Sequence, residues 1–287
     1  METGIKPALA TDLNRKIRSL SLNQKTLRHL LELLQERSFA AGEIEVANFQ
    51  QLQQNLEVYE SNKVQLKEGF RFYITLKGTD GKSLSGSIEA IFDSPNFPES
   101  VESVFLDSGM PLKNFHNYTP RNSLVLFLDF TRPDVFNFTL LPSQETPNNS
   151  NIVVRGHDST WVHGVFHEFD NFVTTHPSTV RWLHKHSIYD IFVWLMGLPL
   201  GFWACFRSSL FLEKNIQSPF LKDAVFIYLF FAVLFSFRIL FHYARWVWPL
   251  VEYCGEKNQA LKHRLVLTTI VLGVLCSAIY DLFKVLF

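Results

Sequence analysis

Hydrophobic spacing divides the chain into a helical opening, an alternating middle and a long apolar end. Leu27, Leu30, Leu31 and Leu34 recur at intervals of three and four, which places them on one helical face and predicts a helix from about Leu22 to Arg37. Ser21-Leu22-Asn23-Gln24 reads as its capping box, and a shorter helix is expected ahead of it from Asp12. Beyond Ala40-Ala41-Gly42, the residues Ile44, Val46, Phe49, Leu52, Leu56 and Tyr59 repeat the spacing and predict a second amphipathic helix. These helices either cover a sheet or form a partner-binding or self-associating arm.

The period then falls to two. Phe70, Phe72, Ile74 and Leu76 alternate with polar neighbours, as do Leu84, Ile88, Ala90 and Phe92. Asp80-Gly81 between the two runs predicts a β-hairpin, since a type I′ turn needs positive φ there. Further strands are predicted at Val101–Leu106, Ser123–Phe130, Val135–Leu141 and Asn151–Arg155, the second of them as a central strand buried on both faces. Trp161, Val162, Val165, Phe166, Phe169, Phe172 and Val173 return to helical spacing, capped near Asp158 or Ser159 and stopped by Pro177.

After a basic, His-bearing entry the chain turns almost continuously apolar. Three runs, 188–206, 224–241 and 265–287, approach the roughly 20 residues that cross a bilayer as helix. The second holds thirteen Val, Ile, Leu or Phe residues against one Arg238, so the sum still favours insertion. The expected organisation is a helical segment 1–66, a β-rich domain 67–175, a linker 176–187 and a membrane part 188–287. The fold class is α+β: N-terminal helices on a mainly antiparallel sheet, a sandwich or a curled sheet, followed by a bundle of about three transmembrane helices.

Charge follows the same division. Residues 1–187 carry 18 Lys+Arg against 21 Asp+Glu, and residues 188–287 carry 9 against 6. The first part offers no bulk nucleic-acid-binding charge. All three cysteines lie in or beside the apolar runs and no apolar leader precedes the domain, so it is expected to stay in the cytosol without disulfides. Arg181, Lys185, Arg245, Lys257, Lys262 and Arg264 flank the runs on the domain's side, against Arg207, Lys214 and Lys222 on the other. By the positive-inside rule this again makes the domain cytosolic in a multi-pass membrane protein.

Candidate chemistry is sparse. Gly197-Leu198-Pro199-Leu200-Gly201 is a small-xxx-small site with an embedded proline, and Gly273 and Ser277 repeat the spacing. Such sites serve self-association, simple bundle packing or a kink. Arg238, His242 and Arg245 form a basic strip on an apolar helix: either it sits among the headgroups, or Arg238 lines a polar passage or pairs with Asp281. His163, His167 and Asp170 share a face of the predicted linking helix, as a solvated face or a sensing face, and no metal or other cofactor is expected there. The run from Gly78 to Ser83 imitates a phosphate loop but lies on the hairpin turn. With no G-x-S-x-G, CxxC or HExxH motif, no catalytic residue is assigned and no enzyme is expected.

The layout of soluble domain, linking helix and C-terminal membrane bundle resembles bacterial immune membrane effectors that act against phage. The resemblance is one of architecture. It implies a homo-oligomer in the lipid bilayer whose cytosolic domain senses a ligand or regulatory protein and whose membrane part opens or disrupts the bilayer as a channel or pore. A membrane-anchored scaffold or adaptor is the alternative.

Overall fold

A computed structural model describes residues 9–48, 55–136, 141–255 and 259–286. The chain forms two compact units and passes between them after Thr131, Pro147, Ser178, Leu250 and Asn258. One unit holds the sheet and the other the apolar helices.

In chain order the elements of the first unit are β1 (Thr11–Lys16), β2 (Leu20–Leu22), α1 (Gln24–Ala47), α2 (Leu56–Glu68), β3 (Ile74–Gly78), β4 (Ser83–Gly86), α3 (Ile88–Phe92), β5 (Val101–Asp107), α4 (Met110–His116), β6 (Asn122–Asp129), β7 (Asn151–Gly156) and α5 (Ser159–Thr175). Six strands form one antiparallel sheet in the order β1-β7-β6-β5-β3-β4. Ile74, Leu76, Val104, Leu106, Leu124, Leu126, Leu128, Ile152 and Val154 are buried on one face. The helices α1 and α5 cover that face, α1 against β6 and α5 against β7 and β1. On the opposite face Phe105, Val125, Phe127 and Val153 are half-buried. The arrangement is a single antiparallel sheet under one helical layer, so of the two expected forms the sandwich is excluded, the helix-on-sheet α+β fold is present, and β6 is central but fully buried on one face only.

Local chemistry moved several predicted elements. Gly42 does not break the first helix: a Cβ there would lie 2.9 Å from Phe70 Cδ2, so the glycine admits the Phe70 ring and α1 continues to Ala47. Its cap is Asn23, whose side chain accepts from Thr26 N at 2.9 Å while Thr26 Oγ1 accepts from Asn23 N at 2.8 Å. Ser21 is left to β2, and the helix expected from Asp12 is β1. Of the expected second helix, Ile44 and Val46 belong to α1, Leu56 and Tyr59 to α2, and Phe49 and Leu52 lie outside the described residues. Gln35 and Ser38 tie α1 to the sheet, donating to Phe70 O at 3.0 and 2.8 Å, and Gln35 Oε1 accepts from Phe72 N.

The hairpin β3–β4 forms as expected, with a different turn. Gly81 has φ +82° while Asp80 stays at negative φ. Gly81 N donates to Gly78 O at 3.1 Å and Gly78 N to Lys82 O at 2.8 Å, the three-residue loop that ends in a left-handed glycine. Ser87 then caps α3, accepting from Ala90 N, so Ile88, Ala90 and Phe92 are helical. Of the strand expected at Val135–Leu141, Val135 and Phe136 form a turn and 137–140 lie outside the described residues. The helix α5 matches its pattern: Asp158 accepts from Trp161 N at 3.0 Å, and Trp161, Val162, Val165, Phe169, Phe172 and Val173 are buried.

One strand of this unit comes from far along the chain. Val251–Tyr253, here β8, pairs in parallel with β2, and Cys254 N donates to Leu22 O at 2.6 Å. Val251 is fully buried, and Tyr253 packs edge-on to Phe130 with ring centroids 5.8 Å apart. Val251→Ala is expected to cost about 2 kcal/mol in lost burial plus cavity. Measured by hydrogen exchange, the Cys254 amide should then exchange roughly thirtyfold faster; an unchanged rate would show that β8 is not held by this core.

The second unit holds α6 (Ile188–Phe192), a π-helical turn (Val193–Gly197), α7 (Leu198–Asn215), α8 (Pro219–Val247) and α9 (Gln259–Leu286). Two helices among the described residues are long and apolar enough to cross a membrane: the continuous rod Ile188–Asn215, of 28 residues, and Pro219–Val247, of 29. At 1.5 Å per residue each exceeds the ~30 Å hydrocarbon core. Their apolar side chains face outward, Trp194, Phe202, Phe206, Leu210, Phe220, Ile227, Phe231 and Phe235 among them.

Candidate functional site

The two apolar helices form an antiparallel pair whose seam is set by small residues. A Cβ on Gly197 would lie 3.5 Å from Leu234 and 3.6 Å from Phe237, and one on Gly201 would lie 2.8 Å from two carbons of the Phe230 ring. One turn further, Cys205 Sγ donates to Phe226 O at 3.5 Å. Positions 197, 201 and 205 on one helix thus meet 234/237, 230 and 226 on the other, descending in step. Gly197 and Gly201 are spent within the chain, and Cys205 is a third small residue of the stripe that the spacing argument did not include.

Pro199 explains the π-helical turn ahead of it. A proline inside a helix donates no hydrogen bond and crowds the carbonyl four residues earlier. Here the backbone widens by one residue, Leu198 N donating to Val193 O, which fits the proline without breaking the rod. Gly273 lies on α9 with nothing within 4 Å of where a Cβ would stand. The side chain of Ser277 lies outside the described residues.

At its C-terminal end α8 carries a basic and aromatic collar. The last carbonyls of a helix lack intrahelical donors and concentrate negative partial charge; here cationic and imidazole donors supply them. Arg132 Nη1 donates to Trp246 O at 3.2 Å and lies over the Trp246 ring at 5.2 Å. Arg264 Nε and Nη2 donate to Val247 O at 3.2 and 3.0 Å. His184 Nε2 lies 2.6 Å from Trp248 O. Because a carbonyl only accepts, Nε2 carries the proton, and Nδ1 accepts from Thr146 Oγ1 at 2.9 Å. His184 is buried, and burial pushes its pKa down to about 4, with the nearby Arg245 charge acting the same way. Asp190 is held at the start of the rod, accepting from Ser143 Oγ at 2.6 Å.

Of the basic strip, Arg245 lies in this collar, His242 one turn before it and Arg238 about two turns before it. Arg238 is half-buried, while His242 and Arg245 are buried. Asp281, considered above as a partner for Arg238, has a side chain outside those described. On α5, His163 and His167 are exposed, His167 Nε2 lying 3.2 Å from Asn171 Nδ2, while Asp170 pairs with Arg15. Among the described residues no group of three His, Cys, Asp or Glu side chains could hold a metal.

Sequence reasoning located Arg238, His242 and Arg245 but missed Arg132, Thr146, His184 and Arg264. Six of the ten histidines fall between His157 and His186, a signal that pointed near His184 without showing its partners. No protein family, no curated protein and no solved structure matches the chain.

Proposed function

We propose that the chain is a multi-pass membrane effector: its sheet-bearing unit, on the cytosolic side, senses a ligand or partner, and its helices respond by opening or disrupting the bilayer. The observation that carries this reading is the pair of outward-apolar helices, 28 and 29 residues long, ending in a basic and aromatic collar of the kind found at the membrane–water boundary. Two features support a link from sensor to membrane. The chain enters the helix pair from the sheet-bearing unit at Ser178, and after the pair it re-enters that unit as β8. Both ends of the pair are thus joined to the sheet-bearing unit by short connections, the exit through β8, which pairs with β2 outside the six-stranded sheet. Two crossings return the chain to the domain's side; α9 is the third crossing in this reading and carries the C-terminus across.

The engagement of Gly197 and Gly201 within one chain favours a second reading, an anchored scaffold or adaptor, because it removes two small-residue positions from any contact between copies. Gly273 keeps an open face for assembly. The test is expression of the full chain with growth and a voltage-sensitive dye read together, after alkaline carbonate extraction has established membrane residence. The effector reading expects loss of membrane potential at high expression and its recovery in Arg238→Leu. Full potential at high, carbonate-resistant expression would establish the scaffold instead.

A further inference from the structure

In the collar, the Arg245 guanidinium is only partly answered by the described residues around it. Arg245 is 0% exposed and His242 3%. Arg245 Nε donates to Leu183 O at 3.2 Å, and its guanidinium lies 4.7 Å from the centre of the Phe241 ring. Its Nη1 and Nη2, together with His242 Nε2, have no hydrogen-bond partner among the described residues. A buried guanidinium with two idle nitrogens is costly to fold, and a cation–π contact offsets only part of that cost. Buried polar groups of this kind call for an ion or water.

The neighbours sharpen the requirement. Arg132 and Arg264 at the same helix end are directed at backbone carbonyls, and His184 is spent on Thr146 and Trp248. The contact at Nε orients the guanidinium plane and leaves Nη1 and Nη2 as a two-pronged edge. Such an edge matches two oxygens of one oxyanion, and His242 Nε2, one helical turn away, adds a donor when it carries the proton.

We propose that Arg245 and His242 bind a phosphate group. Arg245 stands two residues before the end of α8, beside Tyr243, Trp246 and Trp248, at the level where phospholipid headgroups meet the aromatic belt. The lipid source of that phosphate rests on the membrane reading above; the site itself requires only the oxyanion.

The test uses the full chain in neutral detergent, titrated at constant ionic strength with phosphatidylglycerol or with inorganic phosphate, while the melting midpoint is followed. Midpoint elevation of roughly 5 °C by phosphatidylglycerol alone assigns the site to a lipid headgroup, and the same response to inorganic phosphate assigns it to a soluble phosphate. Arg245→Leu should abolish the response yet melt no lower than the parent without anion, because it removes an uncompensated buried charge. Arg245→Lys, which keeps the charge but loses the fork, should retain less than half of the response, and the exposed Arg207→Gln all of it. No shift with either anion, or a full shift in both Arg245 variants, overturns the proposal. Membrane residence is read separately by carbonate extraction, so a soluble protein that still answers to inorganic phosphate would sink the membrane reading and keep the site.

Discussion

Gly201→Leu is expected to lower the melting midpoint of the full chain in detergent by roughly 10 °C, corresponding to about 3 kcal/mol. The reason is local crowding. A Cβ at 201 falls 2.8 Å from the Phe230 ring, and that ring is itself packed against Phe202 with centroids 5.0 Å apart, so a four-carbon side chain forces the two helices to separate. Gly201→Ala, which asks only for a small shift of the ring, should cost less than half as much. The measurement is a thermal scan with a thiol-reactive dye on a chain in which Cys205 is the sole cysteine. Its sulfur lies in the seam, donating to Phe226 O at 3.5 Å, and is released when the helices part. Gly273→Leu should leave the midpoint almost unchanged, since open space surrounds that position. If instead Gly201→Leu kept its midpoint and lost mass by light scattering, the stripe would serve contacts between copies.

The second large effect is acid opening of the collar. His184 folds as the neutral imidazole, with a pKa pushed down to about 4 by burial, whereas an unfolded histidine titrates near 6.5. Below 6.5 the unfolded chain takes up a proton that the folded collar refuses, so stability is fully present above about pH 6.5 and falls as pH drops through about 4. The loss is on the order of 3 kcal/mol. Protonation would place a second donor on Nδ1, against Thr146 Oγ1, and a cation beside Arg245. Intrinsic fluorescence of the full chain, melted between pH 8 and pH 4, should show this slope, with Trp246 and Trp248 lying at the site. His184→Gln should lower stability at pH 7.5 and flatten the acid slope. A parent slope identical to that of His184→Gln would show that other groups carry the acid sensitivity.

Several features of the fold were legible because they depend on short stretches. The hairpin around Gly81 needs only two alternating runs and a residue able to adopt φ +82°. The helix α5 needs only its apolar stripe and the Asp158 cap. The misread positions depended on partners distant in sequence. Gly42 reads as a breaker until Phe70 is seen filling the space a Cβ would take. Ile88, Ala90 and Phe92 alternate like a strand over a window too short to separate period 2 from period 3.6, and the Ser87 cap settles it as helix.

The candidate site divides in the same way. Arg238, His242 and Arg245 stand out because charge inside an apolar run is costly wherever that run ends up. Arg132, Thr146, His184 and Arg264 look ordinary along the chain. They become a collar only because the end of α8 presents carbonyls that no later turn of helix can satisfy, and these residues are brought to them from three other segments.

By itself, the sequence determined the α+β character, the antiparallel hairpin, the helix α5 and the presence of apolar helices of bilayer length, because hydrophobic period and run length are properties of neighbouring residues. Only the tertiary structure decided that the sheet is single and covered on one face. It also decided that Val251–Tyr253 joins β2, that Gly197 and Gly201 are used within one chain, and that Arg245 is buried with an unanswered edge. Each of these rests on contacts between residues far apart in sequence, whose energies follow from the space, donors and acceptors that folding brings together and not from the order of residues along the chain.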